Sequence, residues 1–172
     1  MGAQLPRRWI QHSAARCVLA QNLGPTRLPS ALDTSTPESP PPALLAAALA
    51  ARARAHAPYS QFAVGAALMD EQGRIHAGCN VENAAYPEGL CAEAVALGQL
   101  VLAGGTRITA VLVAADAATP ITPCGGCRQK LREFAGGGAV PVWSADLRRV
   151  LARHTLAELL PASFGPDQLG PR

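Results

Sequence analysis

NVENAAYPEGLCAEAVAL, residues 80–97, decides the fold when it is read together with PCGGCRQKL, residues 123–131. Each stretch follows apolar chain, passes through a polar or Pro/Gly linker and enters a run of helix formers. Cysteines fall at both helix starts: Cys91 heads the first, and Cys124 and Cys127 open the second. A helix N-terminus carries partial positive charge and free backbone N–H groups, both of which favour thiolates. Three thiolates around one Zn²⁺ leave a fourth tetrahedral position for water, the layout of a catalytic zinc. Glu93, two residues after Cys91, is placed to handle protons rather than to bind metal. Its plainer role would be a helix-start carboxylate that stabilises the dipole. A lone Cys-x-x-Cys fits a redox pair or two small buried residues equally well. A redox protein, however, would leave Cys91 and Glu93 without a purpose. Cys-x-Glu after an apolar strand, with a proline before the second pair, points to a zinc hydrolase.

Working outward, residues 43–56 read as a helix by propensity, stopped before Pro58. Residues 62–70 and 74–82 are two apolar strands joined by Glu71-Gln72-Gly73 as a hairpin. A helix follows from Leu90 to about Ala103, with Cys91 and Glu93 in its first turn. Residues 108–116 form a continuous apolar strand, as expected of one covered on both faces. A second helix runs from Cys124 to about Phe134 and stops at Gly136-Gly137-Gly138. Val140–Ser144 is a short strand, Leu147–Arg153 a candidate fifth, and Leu156–Leu160 a helical turn. The pattern is an α/β layered domain with a mixed sheet.

The length of 172 residues suits one domain, and 49% of them are hydrophobic. No apolar run reaches the roughly 18 residues of a membrane span. A net charge of +3 with Lys130 as the sole lysine gives no electrostatic footprint for nucleic acid. With three cysteines assigned to metal, Cys17 and Cys79 have no evident disulfide partner, which favours a reducing, cytoplasmic setting. Residues 1–42 carry Arg7, Arg8, Arg16 and Arg27 against only Asp33 and Glu38, and end in PESPPP. They read as a disordered N-terminal extension ahead of a catalytic domain at 43–172. A targeting leader and a misplaced start site are the alternatives.

Taken together, PYSQFAVG (58–65), Asn80-Val81-Glu82-Asn83-Ala84, Cys91-Ala92-Glu93, Pro123-Cys124-Gly125-Gly126-Cys127-Arg128-Gln129 and Ser163-Phe164-Gly165-Pro166 resemble the zinc-dependent cytidine deaminases. The similarity is to their short, homotetrameric, three-cysteine class, and it runs from about Leu49 to Leu169. It implies a three-layer α/β/α sandwich with a mixed five-stranded sheet. It also implies hydrolysis of cytidine and 2′-deoxycytidine to uridine and deoxyuridine with release of ammonia, a reaction of pyrimidine salvage. By the same resemblance, Cys91, Cys124 and Cys127 hold zinc and Glu93 shuttles protons. Asn80 and Glu82 bind the ribose 3′-hydroxyl, Phe62 packs beside the base, and the Ala92 N–H donates to the pyrimidine carbonyl. Phe164 reaches a neighbouring subunit's site.

The residues agree in part. Asn80 and Glu82 are two apart on a strand, so they share a face, and a polar pair on an apolar strand needs partners. A strand-end cluster capping the next segment is their other reading, and Phe62 fits a plain core position as well. One departure concerns charge. The family usually has an arginine directly after Cys-Ala-Glu, where this chain has Ala94, and Arg128 is the nearest substitute in sequence. Three thiolates leave the centre at about −1, so a missing cation works against ionising a bound water. Blasticidin S deaminases are similar in ligands and also lack that arginine, but they differ from residues 80–83. A non-catalytic, zinc-stabilised nucleoside-binding module is the reading from another class.

Overall fold

The computed structural model describes residues 38–170, and the strand at 108–116 is the middle of its sheet. Five strands are present: β1 (Val64–Asp70), β2 (Ile75–Cys79), β3 (Ile108–Ala115), β4 (Pro141–Ala145) and β5 (Val150–Thr155), in spatial order β2-β1-β3-β4-β5. β1 pairs antiparallel with β2 and with β3, β3 parallel with β4, and β4 antiparallel with β5. The sheet is therefore mixed, as the sequence pattern requires. β3 is apolar except for Thr109 near its start, because both of its faces are covered. Val111 and Val113 join one buried cluster, while Ala110, Leu112 and Ala114 join the other.

Helices α1 (Pro42–Arg52), α2 (Ala92–Leu102), α3 (Gly125–Glu133) and the single turn α4 (Leu156–Leu159) complete the layers. Leu44 and Ala48 of α1 pack with Leu112 and Trp143 on one face. Ala96 and Leu100 of α2, Leu131 of α3 and Leu156 of α4 pack with Val111, Val113 and Val142 on the other. This is an α/β/α sandwich with the metal-ligand helices in one layer. α4 is set by a capping box, with Thr155 Oγ1 accepting the Glu158 N–H at 3.2 Å and Glu158 Oε2 accepting the Thr155 N–H at 2.7 Å.

Several element boundaries differ from the sequence expectation: the first strand starts at Val64 rather than residue 62, the fifth runs Val150–Thr155 rather than 147–153, and two further differences share one reason. The first helix was expected to reach residue 56 but stops at Arg52. The next residues turn so that the His56 N–H donates to the Asn80 carbonyl at 3.0 Å and its carbonyl accepts the Glu82 N–H at 2.8 Å. This pairing overrides local helix propensity. The same bonds take over the far end of β2, which stops at Cys79 rather than residue 82. Val81 then bridges to His56 and Leu90. Of the expected N-terminal extension, residues 1–37 (Cys17 included) lie outside the described residues. Pro40 is already buried, and the Glu38 carbonyl accepts Trp143 Nε1–H at 3.4 Å, so these residues belong to the fold.

α2 sits unusually close to its strand. A Cβ on Gly78 would lie 2.4 Å from the Ala96 nitrogen and 2.6 Å from the Ala92 oxygen. Helix backbone thus rests directly on strand backbone. At the opposite end of the β1–β2 hairpin, Asp70 is 1% exposed and holds the turn together. It accepts the N–H groups of Gln72 and Arg74 at 2.9 Å each, and pairs with Arg74 Nε at 2.7 Å and His76 Nε2 at 2.9 Å.

Burial works to raise the Asp70 pKa, but the bonds from His76, Arg74 and Gln72 overcome it and hold the carboxyl well below the usual range. A depressed folded-state pKa gives stability that is present above the unfolded value, near 3.9, and lost as pH falls through the folded one. Asp70→Asn is therefore expected to melt below the wild type at pH 7, with the gap shrinking below about pH 4. Melting temperatures across pH check this, and an equal gap at pH 7 and pH 3 would refute it.

Candidate metal centre and cleft

Both helix starts in the metal layer are cysteines: Cys91 is the N-cap of α2 and Cys124 the N-cap of α3, with Cys127 in the first turn of α3. β3 separates them in sequence, and the sheet brings them together. The three sulfurs lie within 4.8 Å of one another, and Cys91 Sγ is 3.8 Å from Cys124 Sγ. Tetrahedral zinc with Zn–S bonds near 2.3 Å requires sulfurs about 3.8 Å apart. The cluster fits zinc. Among the described residues the cluster consists of these three cysteines.

Electrostatics distinguish the three thiols. Burial pushes the Cys127 thiol far up, and the Glu93 carboxylate pushes it further. Burial also raises Cys91, whereas the backbone N–H of Cys127 draws Cys124 down. A group protonated at neutral pH must give up its proton to ligate, so a divalent cation is what converts this cluster to thiolates. Glu93, 5% exposed in the first turn of α2, lies with Oε2 3.4 Å from Cys127 Sγ. A buried carboxylate beside the ligands but outside their cluster is the arrangement expected of a proton carrier.

Arg128 does not stand in for the missing arginine by bonding sulfur. Its Nε donates to the Pro123 carbonyl at 2.6 Å, Nη1 to the Leu159 carbonyl at 2.8 Å and Nη2 to Thr122 Oγ1 at 2.8 Å. It braces the approach to Cys124 against α4.

Beside the cluster opens a cleft of about 670 Å³, within the range of small-molecule sites. Cys91, Cys124, Glu93 and Ala92 line its floor, and Phe62, Asn80 and Glu82 its wall. The sequence-expected residues are therefore brought together, with one exception. Phe164 does not line this cleft. Its side chain is 60% exposed, and its carbonyl accepts Gln129 Nε2–H at 3.0 Å. The segment around it is clasped by Arg132, 8% exposed, which donates to Ser163 Oγ at 3.0 Å and pairs with Asp167. The guanidinium lies against Gly165, where a Cβ would stand 2.5 Å from its carbon.

Asn80 and Glu82 share a side, but each is already engaged. Asn80 Oδ1 accepts the Val64 N–H at 2.8 Å and Nδ2 donates to the Phe62 carbonyl at 2.9 Å. Glu82 Oε2 accepts the N–H groups of Tyr59 at 2.8 Å and Ser60 at 3.2 Å, and Oε1 accepts the Ser60 hydroxyl. The pair thus holds the backbone of the earlier segment 59–64, rather than capping the next segment as the alternative reading expected. The Ser60 hydrogen bond is the main cause that holds the Glu82 carboxyl below the usual range. Sequence reasoning assigned no role to Ser60 or to Tyr59 and Tyr86, whose rings meet edge-on at 6.1 Å over the cleft mouth. Within PYSQF the serine two residues before Phe62 was the available sign, since Ser hydroxyls bind nearby backbone N–H groups in turns.

The family model for the cytidine and deoxycytidylate deaminase zinc-binding region matches residues 41–142. A curated cytidine deaminase of Sporosarcina psychrophila is 43% identical over 126 residues, covering 73% of this chain and 92% of that protein. One from Mycobacterium tuberculosis is 41% identical over 119 residues, covering 69% and 85%. Among solved structures, the cytidine deaminase of Burkholderia pseudomallei aligns with a TM-score of 0.67 at 41% identity, covering 71% of this chain and 97% of that one.

Proposed function

The chain belongs to the family of zinc-binding cytidine deaminases, and we propose the roles by which its residues carry out that reaction, hydrolysis of cytidine to uridine and ammonia. The observation that supports them best is the three-sulfur cluster with buried Glu93 at the floor of a nucleoside-sized cleft. Cys91, Cys124 and Cys127 hold the zinc, which when bound supplies the Lewis acidity that makes water a nucleophile near neutral pH. Glu93 takes a proton from the attacking water and delivers it to the pyrimidine N3, then takes the second proton from the added hydroxyl and passes it to the departing amine, which leaves as ammonia. Its burial beside the ligands keeps the shuttle short and out of bulk water. The Ala92 N–H, one of the first-turn donors of α2 that lack an intrahelical partner, donates to the pyrimidine carbonyl.

Hydrogen-bond capacity supports the sugar-binding role of Asn80 and Glu82. An ionised carboxylate has about four acceptor positions and an amide nitrogen two donors. Glu82 has three donors already, and Asn80 Nδ2 has used one N–H. What remains is one acceptor on Glu82 and one donor on Asn80, both residues lining the cleft, which suits a hydroxyl that gives a bond to Glu82 and receives one from Asn80. Phe62, 41% exposed, presents its ring to the base. 2′-Deoxycytidine retains the 3′-hydroxyl, so both nucleosides are substrates.

The same proposal takes the protein as a cytoplasmic homotetramer that does not act on nucleic acid. Exposed Tyr86, Phe164 and Leu90 support assembly, with Phe164 directed to a neighbour's cleft. No helix of the described residues is long and apolar enough to cross a membrane. The test is zinc content measured with loss of cytidine absorbance and ammonia release on purified protein. Stoichiometric zinc with turnover is expected. Zinc-loaded protein that binds cytidine without releasing ammonia would make it a binding module instead.

A further inference from the structure

One hydroxyl joins the sugar-facing and base-facing walls of the cleft. Ser60 Oγ donates to Glu82 Oε1 and at the same time accepts the Phe62 N–H at 3.0 Å. The Phe62 carbonyl is held from the other side by Asn80 Nδ2 at 2.9 Å. Both backbone groups of Phe62 are therefore fixed by side chains that face the sugar subsite. The residue between, Gln61, stands at φ +57°. A non-glycine residue enters this left-handed region when its surroundings compel it, and here Ser60 and Phe62 are both tied down. Ser60 itself is exposed, outside both buried clusters.

We propose that Ser60 is a positioning residue for the substrate: its hydroxyl couples the Glu82 carboxylate to the Phe62 backbone, so that sugar contact and ring contact are placed as one unit. The inference rests on the reading of Glu82 and Phe62 as substrate-contacting residues. Ser60 occupies one of the carboxylate's acceptor positions and points the remaining one into the cleft. Without it, Oε1 loses its donor and only the Tyr59 and Ser60 N–H groups on Oε2 still hold Glu82, while the Phe62 N–H loses its partner. The reacting atoms at Glu93 are untouched, so the loss falls on binding.

Ser60→Ala is expected to raise the KM for cytidine about 10- to 100-fold, the range for a hydrogen bond to a charged group, with kcat within about twofold. Ser60→Thr keeps the hydroxyl and is expected to restore KM. The acid limb of kcat/KM should move upward in Ser60→Ala, because a carboxylate that loses a donor is protonated more readily, and stay in place in Ser60→Thr. Unchanged KM in Ser60→Ala, a fall in kcat instead, or a raised KM in Ser60→Thr each overturns the proposal. Should Ser60→Ala fail to fold, Ser60→Thr decides, wild-type KM supporting the proposal and a raised KM overturning it. Glu82→Gln and Phe62→Ala separate the two layers of argument. If both leave KM unchanged, the reading of the cleft fails. If they raise it while Ser60→Ala does not, that reading stands and the Ser60 proposal falls.

Discussion

Glu93→Gln is expected to stay folded and zinc-loaded while losing turnover of cytidine by at least about 10²–10⁴-fold. Glutamine is nearly isosteric with glutamate, and the ligand cluster does not include this residue. What the amide lacks is a basic oxygen that can take a proton and return it. General acid–base catalysis by one positioned group contributes about 10²–10⁴-fold, and in the proposed reaction the same group serves several transfers. The buried setting removes an easy substitute, because at 5% exposure bulk water has little access to do the same work. Zinc content, melting temperature and kcat of the variant check this together. A variant with more than about a tenth of the wild-type rate would show that protons travel by another route.

Cys124→Ala is expected to fail one step earlier, losing zinc and stability together. Two sulfurs cannot hold the ion in place of three, and metal binding energy is part of the folding energy when the site exists only in the folded chain. Of the three thiols Cys124 is the one drawn toward ionisation by a backbone N–H, so its loss removes the readiest thiolate. The two that remain, Cys91 and Cys127, both have raised pKa values. Zinc below about a tenth of stoichiometric and a lower melting temperature are the expected results. Stoichiometric zinc in the variant would mean that the ligand set has been misassigned.

The contrast between these two variants shows where the sequence was legible. Cys91, Cys124, Cys127 and Glu93 could be read because short spacings at helix starts carry their geometry within each motif. β3 could be read because a strand covered on both faces shows it as an apolar run, interrupted here only by Thr109. The end of α1 at Arg52 could not, since it depends on His56 pairing with residues 80–82, and no local property of ARAH reports that pairing. The hydroxyl of Ser60 meets the carboxylate of Glu82 22 positions along the chain. Arg132 meets Asp167 across 35. Such contacts follow from the fold and leave no periodic trace. Asp70 was hidden for another reason: an acid in a hairpin turn is ordinary, and its burial against His76 appears only when the sheet is closed.

The contact of α2 with Gly78 makes the two halves of the metal centre unequal in stiffness. Where helix backbone touches strand backbone, no side chain lies between them to change rotamer, and closer approach meets hard repulsion at once. Cys91 and Glu93 therefore ride on an incompressible mount. Cys124 and Cys127 ride on α3, which is located through Leu131 and through the long side chains of Arg128, Gln129 and Arg132 reaching the C-terminal segment. The C-terminal segment is thereby tied to the helix that carries Cys127 and follows Cys124, rather than standing apart from the metal centre.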